Sequence, residues 1–330
     1  MATAADARKV FTLVRQGVDA RSVHAHVRKP FRFLLCGDPA LIAELRALLL
    51  WGHDATVPPQ ASGCLETIHV AAPLVTNPKE VRAIVFLGRP GDTKSAELGA
   101  LSFLRVPILA VTVDPQAQGS GPSAPPAAGE WSEYVVTAIA REPLRSRFFP
   151  HLVECASGVE VAVGRNFPVL RESVTAKLTR DAANNALKVA VASAAIDHVP
   201  LVGIVLGAFA SAGDMVAITG IQVMLMLNID AVYGQDPDVG RTWELLPVIG
   251  GGFGWRALAR ELAGFVPVAG IAIKGAIAYA GTIVVGEGVA FFHEHGQHMT
   301  KSQAAALYER TKNDSLRFAR DLIAKFRKSS

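Results

Sequence analysis

Hydrophobic residues are laid out in two different ways along this chain. Up to about residue 145 they come in short runs of strand length, Phe31-Arg32-Phe33-Leu34-Leu35-Cys36, Leu65–Ala71, Arg82–Leu87 and Val106–Val113. Helix-length patterns at Ala40–Leu50 and Thr93–Leu104 separate them. Strands alternating with helices predict a mostly parallel, doubly wound sheet. Gly37-Asp38-Pro39 reads as a turn that supplies an N-cap and an N1 proline to the first of these helices. Pro115–Gly129, rich in Pro, Gly, Ser and Ala, reads as a loop before a closing helix over Glu130–Arg141. Ahead of the first strand, Val10, Leu13, Val14 and Val18 mark an amphipathic helix within 6–28 that runs into a His/Arg-rich linker ending at Pro30.

From about residue 160 the apolar runs become long. Helices are expected at about 171–198, 204–232, 242–262 and 271–293, followed by a basic amphipathic tail at about 301–327. In that tail Leu316, Ala319, Leu322, Ile323 and Phe326 share one face, flanked by Arg317, Arg320, Lys325, Arg327 and Lys328. Two segments are near copies: Val199-Pro200-Leu201-Val202-Gly203-Ile204 and Val266-Pro267-Val268-Ala269-Gly270-Ile271. Proline removes a backbone donor and glycine permits close backbone approach, so each copy predicts two helical arms joined by a Pro-x-x-Gly break. Paired apolar hairpins either bury one another in a bundle or enter a bilayer.

Composition admits both outcomes. The 330 residues are 50% apolar and 19% charged, with a mean hydropathy of +0.30. Residues 1–30 carry six basic and two acidic side chains, residues 299–330 eight and three, and the remainder nineteen and twenty-four. Basic ends around apolar hairpins suit a cytoplasmic face and anionic lipid. The basic residues are not interleaved with aromatics in a nucleic-acid-binding pattern, so no nucleic-acid partner is expected. Cys36, Cys64 and Cys155 share no metal or disulfide spacing, and the first thirty residues have no apolar core of a signal peptide.

The charges inside the hairpins constrain the membrane reading. Asp214, Lys274 and Glu287 leave uncharged runs of 15 residues at 199–213 and 215–229, and of 12 at 262–273 and 275–286. A spanning helix needs about 20, so re-entrant hairpins or a bundle with a buried Asp214–Lys274 pair are the expected solutions.

Catalytic motifs are scarce. A phosphate-binding loop starting at Gly37 would place glycine, lysine and a hydroxyl at 42, 43 and 44, where the chain has Ile42, Ala43 and Glu44. Of a guanine-reading Asn-Lys-x-Asp at 111–114, only Asp114 survives beside Val111 and Thr112. His293-Glu294-His295-Gly296-Gln297-His298 misses the His-Glu-x-x-His spacing at Gln297, and Gly250-Gly251-Gly252-Phe253-Gly254 follows no strand. No cofactor is expected.

The second half resembles the domain-of-unknown-function 697 family, a helical module that also occurs in YcjF-like inner-membrane proteins and behind GTPase-like domains. The resemblance rests on Arg165-Asn166-Phe167-Pro168-Val169-Leu170-Arg171, on Pro200 and Gly203, and on Gly213-Asp214 followed by Thr219, Gln222 and Tyr233-Gly234-Gln235-Asp236. Gly250 to Trp255 and Arg256, and Lys274 with Ala278-Tyr279-Ala280-Gly281-Thr282, complete it; Pro267 and Gly270 belong to the second break. It implies a membrane-associated helical module behind a degenerate, P-loop GTPase-like domain.

The expected organisation is thus a basic amphipathic segment at 1–30, an α/β domain at 31–145, an all-α domain of apolar helical hairpins at 160–300 and a basic tail at 301–330. The expected role is a non-enzymatic membrane-associated scaffold or regulator on the cytoplasmic side of the inner membrane, touching lipid and a protein partner or a second copy of itself. Two alternatives stand beside it. One is an NTPase with an unconventional phosphate site, and the other is a soluble cytoplasmic bundle that binds a lipid or protein.

Overall fold

The computed structural model describes residues 20–52, 57–69, 77–92, 94–117, 131–196, 203–238 and 269–329. It divides into two compact units. One comprises Ala25–Lys177 with Val232–Gly234, and the other comprises Met1–His24, Leu178–Ala231 and Gln235–Ser330.

The first unit is α/β. After α1 (Ala20–Val27), whose residues belong to this unit from Ala25 on, come β1 (Arg32–Gly37), α2 (Pro39–Trp51), β2 (Leu65–Thr67), β3 (Val81–Gly88), α3 (Lys94–Leu101), β4 (Ile108–Val113) and β5 (Ser132–Val136). The five strands form one wholly parallel sheet in the order β2-β1-β3-β4-β5. Near-continuous burial along β1, β3 and β4 is what a parallel sheet covered on both faces demands. On one face Leu34, Cys36, Ile84, Phe86, Ile108 and Ala110 meet Leu98 and Leu101 of α3. On the other, Phe33 stacks with Phe167, and Phe31 meets both rings edge-on.

One element differs from the sequence expectation. The closing helix predicted over Glu130–Arg141 is instead β5, which pairs with β4 from Leu109↔Ser132 to Val113↔Val136. Tyr134, Val135 and Val136 favour a pleated, half-buried surface, and an open strand edge on β4 rewards that choice with backbone hydrogen bonds. Three short helices follow, α4 (Arg141–Arg145), α5 (Phe148–Cys155) and α6 (Glu160–Asn166), in a stretch for which the sequence pattern predicts no element. Gly164 lets Val232 and Val174 approach: a Cβ there would lie 2.8 Å from the Val232 Cγ1. Nearby Arg171 donates from Nε to the Gly164 carbonyl, and its guanidinium sits 5.3 Å from the centre of the Tyr233 ring.

The second unit is helical. Helix α7 (Arg171–Ile196) enters it at Leu178, and α8 (Gly203–Val232), α9 (Ala269–His295) and α10 (Lys301–Ser329) belong to it in whole or in large part. α8 begins at the glycine of the first Pro-x-x-Gly break, and α9 begins between the proline and glycine of the second. Gly286 of α9 faces Thr179 of α7 so closely that a Cβ would strike its side chain. Ala186, Ala190 and Ala278 pack together where α7 and α9 meet, with Ile218 and Ile221 of α8 against them. Small residues at these crossings set a short separation between helix axes.

Candidate functional site

In an open parallel sheet the ligand crevice lies beyond the carboxyl ends of the strands, where the chain order reverses. Here that place is between β1 and β3. β1 ends at Gly37 and α2 starts at Pro39, so a single residue, Asp38, joins strand to helix. Gly37 has φ +106°, and a Cβ on it would fall on the Leu87 carbonyl oxygen. The same oxygen accepts from the Asp38 amide at 2.8 Å, which holds the turn against β3.

The carboxylate of Asp38 occupies the amino end of α2. Its Oδ1 accepts from the amides of Ala40 and Leu41 at 2.8 and 3.2 Å, and its Oδ2 accepts from Arg89 Nε at 3.0 Å. The Arg89 hydrogen bond, reinforced by the two backbone amides, holds the Asp38 carboxyl below the usual carboxylate range. Arg89 follows β3, where its own amide donates to Asp92 Oδ2 and Gly91 takes φ +89°. A helix amino end ordinarily attracts an external anion; in this chain the Asp38 carboxylate accepts from it, and Arg89 balances that carboxylate.

The remaining positions of the nucleotide signatures do not converge there. Ile42 is buried in the core, whereas Ala43 and Glu44 lie on the exposed side of α2 in its second turn. Val111 is buried within β4, and Asp114 accepts from the Gln116 amide at 2.9 Å in its own local turn. Burial pushes the thiols up, Cys36 to about 12 and Cys64 and Cys155 to about 11, so all three stay protonated near neutrality and none is a ready nucleophile.

Polar chemistry in the helical unit is internal. Gln222 donates from Nε2 to Thr282 Oγ1 at 3.2 Å, and the Thr282 hydroxyl in turn donates to the Ala278 carbonyl at 2.8 Å, all of it buried. Asp230 Oδ1 and His293 Nε2 meet at 2.7 Å with side chains 8% and 10% exposed. The other histidines of that cluster turn elsewhere, His295 stacking on Phe291 and His298 on Phe292. Among the described residues no three His, Cys, Asp or Glu side chains form a metal-binding group.

Of the residues singled out by sequence, Gln222 and Tyr233 have the partners given above, and Lys274 is half-buried in α9 and already has a partner. Gly203 and Gly270 lie in the first turns of α8 and α9. Pro200, Trp255, Arg256 and Pro267 lie outside the described residues, as do the helix expected at 242–262 and the side chain of Asp214. Sequence reasoning missed Arg89 and Asp92, and it missed Asp230 as the partner of His293. The Arg89–Asp38 and Asp230–His293 pairings each join separate elements and leave no periodic trace.

Among the described residues one helix, Lys274–His295, is long and apolar enough to cross a membrane, and 56% of its apolar window is buried in the unit. Comparison of the chain with protein-family models, with curated proteins and with solved structures finds no match.

Proposed function

We propose that this protein is a non-enzymatic, membrane-associated scaffold or regulator in which a degenerate GTPase-like α/β unit is coupled to a helical-hairpin module of the domain-of-unknown-function 697 kind. The observation that carries the reading is the single-residue turn at Asp38. A phosphate-binding loop needs several successive backbone amides to cradle a polyphosphate, with a lysine and a hydroxyl behind them. Here the helix starts one residue after the strand, and its amino end already holds a carboxylate bonded to Arg89. A triphosphate placed there would meet the Asp38 charge and would gain no lysine.

The apolar composition of α9 and the positive charge at both ends of the chain support a place on the cytoplasmic side of the inner membrane, against anionic lipid. The burial of more than half of the α9 window favours a second reading, a soluble bundle that binds lipid or protein without insertion. Calorimetry with magnesium and GTP or ATP tests the first half of the proposal, and binding tighter than about 100 μM overturns it. Fractionation of cells with a carbonate wash tests the second half. Retention in the membrane pellet marks inserted hairpins, release by carbonate marks a peripheral protein, and recovery in the soluble fraction before the wash leaves the bundle reading.

A further inference from the structure

The helical unit carries an open cleft of about 730 Å³ between α7, α9 and α10. Each helix gives it one stripe: Arg180 and Asn184 four residues apart on α7, Tyr279, Ile283 and Glu287 at fourfold spacing on α9, and Leu307, Thr311 and Asp314 on α10 with Arg310 beside them. Two guanidiniums and two carboxylates balance the charge. From Tyr279 to Glu287 the α9 stripe runs about 12 Å along the helix axis, enough to separate two poles of one ligand.

We propose that this cleft seats the headgroup of a zwitterionic aminophospholipid from the bilayer, which deepens the membrane reading above and rests on it. A phosphate diester suits the Arg180 and Arg310 guanidiniums, which match its oxygens in a planar fork, with the Tyr279 hydroxyl and the Asn184 amide as further donors. Burial pushes the Tyr279 hydroxyl up, so it remains a donor. A primary ammonium suits the carboxylates of Glu287 and Asp314, to which it donates up to three hydrogen bonds. Arg180, Glu287 and Asp314 already have partners, with which the headgroup exchanges.

The balance of charge selects against other occupants. A nucleotide would bring several negative charges to two carboxylates. A choline headgroup has no N–H to donate, and its trimethylammonium favours a cage of aromatic rings where this cleft offers only Tyr279. A wholly apolar ligand would strip water from four charged groups without replacing it. Ile283 and Leu307 give an apolar floor for the glycerol backbone and the first methylenes, which a free headgroup would leave uncovered.

The test uses the full chain and two probes. Flotation is measured on phosphatidylcholine vesicles with and without phosphatidylethanolamine, and thermal unfolding is followed with soluble glycerophosphoethanolamine or glycerophosphocholine. Phosphatidylethanolamine is expected to tighten flotation about tenfold, the effect of one added charge-assisted contact set. Glycerophosphoethanolamine alone of the two soluble compounds should raise the unfolding midpoint. Arg310→Gln and Glu287→Gln, both at exposed positions, should each abolish the preference while circular dichroism stays unchanged. Equal flotation on both vesicles, or a preference that survives both substitutions, overturns the proposal while leaving membrane association standing. Stabilisation by the soluble compound without any vesicle preference overturns the lipid as the source. Absence of flotation and of stabilisation removes this assignment, whereas the membrane reading stands or falls by the carbonate wash.

Discussion

Asp230 and His293 lie sixty-three residues apart in sequence and meet at 2.7 Å, Oδ1 to Nε2, with both side chains almost closed to solvent. They tie α8 to α9. Removing one partner takes a buried hydrogen bond from the other, so Asp230→Ala is expected to cost about 1–3 kcal/mol, and His293→Ala a comparable amount. The double substitution should cost clearly less than the sum. Urea unfolding of the four proteins measures this, and strict additivity would show that the two side chains do not support each other.

The amide–hydroxyl contact between Gln222 and Thr282 is a second tie between the same two helices. Thr282→Val keeps the shape and removes the acceptor. The buried Gln222 amide then lacks that bond, at a cost of about 1–3 kcal/mol. An unchanged unfolding midpoint would place the stabilisation of this crossing in its small residues alone.

Gly37→Ala is expected to be among the most damaging single-methyl changes in the α/β unit. The new Cβ would meet the Leu87 carbonyl oxygen, and φ +106° is unfavourable for any L side chain. Strain of this kind costs about 1–3 kcal/mol before the collision is counted. A variant as stable as the parent in guanidinium would contradict the close approach of β1 and β3 at their carboxyl ends.

His151 of α5 is hydrogen-bonded to Tyr134 of β5, and desolvation holds its imidazole below the ordinary histidine range. Burial likewise pushes the Tyr134 hydroxyl up to about 12. Because the folded value for His151 is depressed, its contribution to stability is fully present above the unfolded value of about 6.5 and is lost as pH falls through the folded value. Thermal midpoints measured from pH 7.5 down to 5 should therefore decline, and His151→Phe should flatten that part of the decline. A His151→Phe curve parallel to the parent's rejects the assignment.

Asp38 titrates lower in the pH scale. Its folded value is depressed chiefly by Arg89, so the stabilisation is present above about 3.9 and disappears as pH falls through the folded value. Asp38→Asn should lower the unfolding midpoint at pH 7, and the gap from the parent should close in strong acid. Arg89→Gln should remove part of the same gap. A difference that is constant with pH would assign the effect to shape instead of charge.

Local chemistry was the legible part of this chain. The Asp38 cap, the Pro39 start and strands β1, β3 and β4 could be read because each depends on neighbours in sequence or on an unbroken apolar run. β5 was not, since Ser132–Val136 is a short segment whose strand character comes from the open edge of β4. The departure from the nucleotide signatures at Ala43, Glu44 and Val111 was visible in sequence, yet the pairing of Asp38 with Arg89 at the head of α2 was not. Arg89 lies fifty-one residues from Asp38 and is brought across by the pairing of β1 with β3. The pairings of Asp230 with His293 and of Gln222 with Thr282 were hidden for the same cause, because a helical period describes which face is apolar but not what a polar group on that face will meet.

Val232, Tyr233 and Gly234 belong to the α/β unit although they close and follow a helix of the other one. Val232 fills the space that Gly164 leaves open, and Tyr233 lies under the Arg171 guanidinium. During translation the rest of that unit leaves the ribosome first, ending at Lys177, and its last three residues follow more than fifty positions later. At about 5–20 residues per second, the nascent α/β unit spends several seconds with an open seam beside Gly164. The order of synthesis thus opposes an early, independent closure of the amino-terminal unit, and ties its completion to the emergence of the first long apolar helix.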